Sequence, residues 1–176
     1  MDDTGPDALI PRDIADGVPR QLDPRYVPLQ RKVGWLTVAG LTPVAVISAV
    51  LVFLTGWTST FSWLLAATAF IALAVVAWFA HAWPPRAYRY ASYRADADGL
   101  EIRRGVLWRQ VINVPRSRVQ HTDVSQGPLE RSHGLATLIV HTAGVEHAQV
   151  ELPGLPYEVA LRLRDHLLPR DASDAV

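Results

Sequence analysis

The sequence has no cysteine. That excludes a disulfide framework, a thiolate metal centre and a cysteine nucleophile. Lysine is almost as scarce: Lys32 stands against 16 arginines, a bias that suits a GC-rich genome. There is no net charge, since 17 basic and 17 acidic residues cancel. That argues against a nucleic-acid partner held by bulk positive charge. Catalytic signatures are missing too, with no G-x-S-x-G elbow, Walker loop or His-Glu-x-x-His pattern. Neither an enzyme nor a cofactor is therefore expected. The most informative absence is local: from Val33 to Pro85 there is no Asp, Glu, Lys or Arg.

What fills that gap is apolar and long enough for two membrane crossings, each needing about 20 residues for a hydrocarbon core of about 30 Å. The spacing predicts transmembrane helices over 33–55 and 61–83 within a hairpin at 25–85, joined by the uncharged turn 56–60. A buried hairpin of a soluble bundle would carry polar residues along one face, whereas these segments are apolar all round. Pro43 is tolerable in lipid if a neighbour such as Thr42 satisfies the freed backbone. Ala45 and Ala49, one turn apart, suit close helix packing. Trp35, Trp57, Trp63, Trp78 and Trp83 mark the boundaries, where indole rings favour the headgroup region. Only Trp108 falls elsewhere. Arg25, Arg31 and Lys32 precede the first span, Arg86, Arg89 and Arg94 follow the second, and the turn has no basic residue. The positive-inside rule then places both termini in the cytoplasm, with the protein multi-pass in the plasma membrane. A cleaved signal peptide is not expected, because the apolar run starts late and is too long.

The flanks differ. Residues 1–24, rich in Asp and Pro without apolar periodicity, read as a disordered acidic tail. Residues 86–168 alternate in period two and predict about six strands. One leaves the membrane near Tyr88–Ala95, and Asp96-Ala97-Asp98-Gly99 turns into Leu100 and Ile102. Further strands are expected at Val106–Val114, Arg118–Val124, Leu135–His141 and around Ala148–Leu152, with a loop over Ser125–Gly134 and turns at Gly105 and Thr142–Gly144. Pro153-Gly154-Leu155-Pro156 reads as a loop. A closing helix follows over Tyr157–Leu168, with Val159, Ala160, Leu163 and Leu167 at helical spacing and Pro169 as its stop. Residues 169–176 form a short tail. The fold class is thus a membrane helical hairpin followed by a mainly β barrel, or bent antiparallel sheet, capped by a C-terminal helix.

Three stretches carry a resemblance: ADADGLEIRRGVLWRQ (Ala95–Gln110), VPRSRVQHTDVSQGPLERSHGLATLIVHTAG (Val114–Gly144) and the terminal helix. With the two-span hairpin before them, they make residues 25–168 similar to the YdbS-like bacterial pleckstrin-homology (PH) membrane proteins. The resemblance implies a PH-like domain on the cytoplasmic face and no catalytic activity. It also implies another membrane protein as partner, such as a larger relative with several PH domains. His133 departs from the bulkier aromatic or basic residue expected at that loop.

Two surfaces are candidates. Arg86, Arg89, Arg94, Arg103 and Arg104, with Arg109 beyond them, form a basic set able to face an anionic leaflet, each contributing about 1 kcal/mol near the surface. This supports an alternative role as an anionic-lipid headgroup module. The Gln126, Gly127, Pro128, Leu129 and Arg131 loop is the candidate partner contact, in keeping with a non-enzymatic interaction or scaffold subunit. A small transporter subunit is a further alternative, but the spans offer only Ser and Thr as polar groups. His141 and His147 flank a hairpin connection, yet with no cysteine and no tight acidic cluster no metal site is expected.

Overall fold

The computed structural model describes residues 14–54, 60–143 and 149–168. Along the chain come β1 (Arg20–Gln21), α1 (Tyr26–Leu54), α2 (Thr60–Arg89), β2 (Ser92–Ala95), β3 (Gly99–Arg104), β4 (Gln110–Pro115), β5 (Val119–Ser125), α3 (Pro128–Ser132), β6 (Leu135–Thr142), β7 (Gln149–Pro156) and α4 (Tyr157–Leu167). They fall into two compact units. One is Val27–Arg86; the other joins the residues up to Tyr26 with those from Ala87 onward.

In the helical unit, α1 and α2 run for 29 and 30 residues. That is about 43–45 Å at 1.5 Å per residue, more than a hydrocarbon core requires. The expected spans lie within them, except that 55–59 fall outside the described residues. Apolar side chains point outward, Phe53 at 80% exposure and Phe70 at 73%. Only Leu29 and Val38 of α1 are buried, and no described side chain of α2 is. The core helix of a soluble protein shows the reverse. The hydroxyls of Thr37, Thr42, Ser48 and Thr68 each donate to the carbonyl four residues back, which satisfies them without water.

The prolines are accommodated rather than breaking the helices. α1 continues through Pro43. The Thr42 hydroxyl bonds the Val38 carbonyl, one residue short of the Ala39 carbonyl that Pro43 leaves without its helical donor. α2 continues through Pro84 and Pro85. Pro85 removes the N–H that would meet the His81 carbonyl, and Arg31 Nε donates there at 3.2 Å. The helices approach closely at Gly34, where a Cβ would stand 2.7 Å from that of Ala80. Ala49, expected to pack, is exposed.

The second unit holds two antiparallel sheets, β1-β2-β3-β4 and β5-β6-β7. α4 lies on the three-stranded sheet and buries Val159, Ala160, Leu163 and Leu167, the four positions at helical spacing. Leu100, Ile102, Leu138, Val140 and Leu155 fill the core between them. This is the PH-like arrangement of bent antiparallel sheets with a C-terminal helix.

Five local expectations are corrected. Residues 14–24 are not a structureless tail: Ile14 and Leu22 are buried in the core, and β1 pairs with β2 through Arg20↔Tyr93. Its two apolar anchors are too widely spaced to register as a period. The strand expected from Tyr88 begins only at Ser92, because α2 carries on to Arg89. The strand expected from Val106 begins at Gln110. Gly105 adopts φ +119°, and a Cβ there would collide with the Trp108 carbonyl, so 105–109 form the hairpin connection. The Ser125–Gly134 loop contains α3. Finally, Pro153–Pro156 is strand, pairing Leu155 with Ala136 and Pro156 with Leu135. A register shift between Ala136 and Leu138, with Gly154 at φ +76°, absorbs the prolines as a bulge does.

Candidate functional site

The β3–β4 hairpin begins at a turn held by Asp96, whose Oδ1 accepts the Asp98 and Gly99 N–H groups, both at 3.0 Å. Such an Asx turn is why Asp is favoured there. Gly99 is required because a Cβ would strike the Val114 carbonyl across the ladder. From there the strand alternates, burying Leu100 and Ile102 and turning Glu101 and Arg103 outward, where these two form an ion pair.

At the far end of the hairpin lies a cleft of about 380 Å³. Arg89, Arg103, Arg104 and Arg109 line it, together with Gln21, Ser92 and Gln110, and no carboxylate does. Among the described residues, Arg89, Arg104 and Arg109 have no carboxylate partner. Guanidinium groups present planar donor pairs that fit phosphate and carboxylate oxygens. Beyond the cleft the connection exposes Leu107 at 78% and Trp108 at 85%. Val111 of β4 is also exposed.

The structure therefore brings Arg89, Arg103, Arg104 and Arg109 of the expected basic set together. Arg94 is not among them: its Nε lies 3.6 Å from Asp96 Oδ2, and the chain at Gly17 packs on its guanidinium. Arg86 belongs to the helical unit, where it donates to the Ala82 carbonyl at 2.7 Å and lies over the Trp78 ring. Gln21 was hidden because its strand is two residues long. The exposed hairpin tip had one sequence signal, Trp108 as the tryptophan left over from the membrane boundaries.

The 126–131 loop is braced from within. Gln126 Nε2 donates to the Leu135 carbonyl at 2.8 Å, and the Gly127 N–H donates to Glu130 Oε2 at 2.8 Å. Glu130 Oε1 accepts from the Thr137 hydroxyl at 2.7 Å. Gln126 and Gly127 thus hold the loop, while Pro128, Leu129 and Arg131 face solvent. His133 turns its Nδ1 to the Leu129 carbonyl at 2.8 Å. His141 lies against His121, and His147 falls outside the described residues.

Residues 31–171 match the family described as Bacterial PH domain. Among curated proteins, the chain is 39% identical over 75 residues to the UPF0699 transmembrane protein YdbS of Bacillus subtilis (strain 168). That match spans 43% of this chain and 45% of that protein, less than half the relative's length. No solved structure matches the chain.

Proposed function

The chain belongs to the bacterial PH domain family, and from that premise we propose that it is a non-enzymatic membrane module whose β3–β4 hairpin docks on anionic headgroups at the cytoplasmic bilayer surface. The arginine cleft carries this reading. Four guanidiniums, of which Arg103 alone pairs with a carboxylate among the described residues, suit a phosphate-bearing surface, at about 1 kcal/mol for each basic side chain held near it. The hairpin tip supports it. Trp108 and Leu107, highly exposed beside that charge, have the amphipathic and apolar character of residues that settle at the headgroup boundary. Chain order supports it as well, because Arg89 ends a membrane-length helix and Ser92 opens the next strand.

The cytoplasmic side follows from basic residues flanking both spans and absent from the turn. Arginine stays protonated and is a poor proton shuttle, which favours binding over catalysis. Among the described span residues, the hydroxyls of Thr37, Thr42, Ser48 and Thr68 are engaged within their own helices and leave little for a transported solute. A second reading, docking of another membrane protein, draws on Pro128, Leu129 and Arg131 held outward on the braced loop.

The lack of cysteine makes the test direct. Leu107→Cys in the full chain carries an environment-sensitive fluorophore, and the protein is placed in nanodiscs. Phosphatidylglycerol discs are expected to blue-shift the emission relative to phosphatidylcholine discs. High salt, or Arg103→Ala with Arg104→Ala and Arg109→Ala, abolishes the shift and removes about 3 kcal/mol of attraction. Equal emission in both discs overturns the headgroup reading.

A further inference from the structure

Strand alternation and one register shift put three metal-ligating side chains together on the three-stranded sheet. Thr122 and Val140 are paired and buried, so the residues beside them face outward. His121 and Asp123 are two apart on β5, and His141 stands directly across from His121 on β6. A register shift lies between Val119 and His121. It leaves Gln120 and His121 both exposed and sets His121 on the same face as Asp123, as bulges re-aim side chains.

The three donor atoms are brought close together. The two imidazoles stack at 4.0 Å with planes 14° apart. The Nε2 atoms of His141 and His121 lie 3.6 and 3.8 Å from the same Asp123 Oδ2. All three ligand atoms fall within 4.8 Å of one another. Two ligands on one tetrahedral ion at about 2.1 Å each stand about 3.4 Å apart. The donors are thus near the required separation, and binding one ion turns the rings out of their stacked planes about the side-chain torsions so that both Nε2 lone pairs converge on it.

We propose that His121, Asp123 and His141 bind a divalent transition ion of the zinc, nickel or cobalt class. Two imidazole nitrogens and one carboxylate oxygen select borderline ions over calcium or magnesium, which want oxygen alone. Three protein ligands leave a coordination position open to water or an incoming donor. The arrangement is independent of the arginine cleft and of the headgroup reading.

The test is calorimetric titration of Zn²⁺, and separately Ni²⁺, into the full chain in detergent, made without a polyhistidine tag. One site per chain with an affinity on the micromolar scale is expected. His121→Gln, His141→Gln and Asp123→Asn each weaken it at least tenfold, since loss of outer-shell support alone already costs about 10–100-fold. His166→Gln leaves binding unchanged. His121 and Asp123 are exposed and His141 is half-buried, so the His121 and Asp123 variants melt like the parent in chelator, and a Zn²⁺ concentration just saturating for the parent raises its melting temperature more than theirs. No binding by the parent, or equal binding by the His121→Gln/His141→Gln double variant, overturns the site.

Discussion

Asp23 ties three parts of the chain to one spot. Its N–H donates to the Gly154 carbonyl at 2.9 Å, and its own carbonyl accepts the Tyr26 N–H at 2.9 Å. Its carboxylate takes the Arg25 N–H and guanidinium at 2.8–2.9 Å. Burial alone would push this carboxyl up, but the hydrogen bonds and charge of Arg25 outweigh it and hold the group below the usual aspartate range. A carboxyl depressed in the folded state adds stability that is present above its unfolded range and lost as pH falls through the folded value. Asp23→Asn is therefore expected to cost about 1 kcal/mol at neutral pH. The gap between variant and parent closes in acid, read as melting temperatures in detergent near pH 7 and about pH 3.

Among the elements, α4 is the clearest case of a sequence pattern becoming a contact. Its buried residues lie on one stripe, and Leu163 is fully enclosed. Leu163→Ala should destabilise the second unit by about 2–5 kcal/mol, seen as a lowered melting transition of the full chain. The two membrane-length helices were equally legible, because an uncharged run is a strong signal over any window. The β3 strand was legible through its turn chemistry at Asp96 and Gly99. What escaped depended on partners far away in sequence. The pair Arg20–Gln21 is a strand only because β2 offers an edge, and Pro153–Pro156 extend β7 only because β6 shifts register to meet them. The arginines of the cleft were readable as part of a larger basic set, but Gln21 joins them, and Arg86 and Arg94 drop out, only through the fold. The neighbourhood of His141 escaped for the same reason: the ladder sets it across from His121, twenty residues away in sequence.

At the scale of the whole molecule, a pair of membrane-length helices precedes a PH domain, and the proposed cytoplasmic placement of both termini has a direct consequence for labelling. Single thiols introduced as Thr4→Cys and Ser173→Cys are expected to be shielded from a membrane-impermeant maleimide in intact cells and to react in inside-out vesicles. Thr58→Cys should show the opposite. Labelling of either terminus from outside overturns the cytoplasmic assignment. The order of the chain adds a constraint on how the protein is made. β1 is synthesised before the helices and its partner β2 after them, so Arg20 cannot meet Tyr93 until the intervening hairpin has left the ribosome. At about 5–20 residues per second that is a delay of roughly 4–15 s. During that interval Ile14 and Leu22 have no core to enter, so synthesis of the helical hairpin sets the earliest moment at which the sheet-built half of the polypeptide can finish closing.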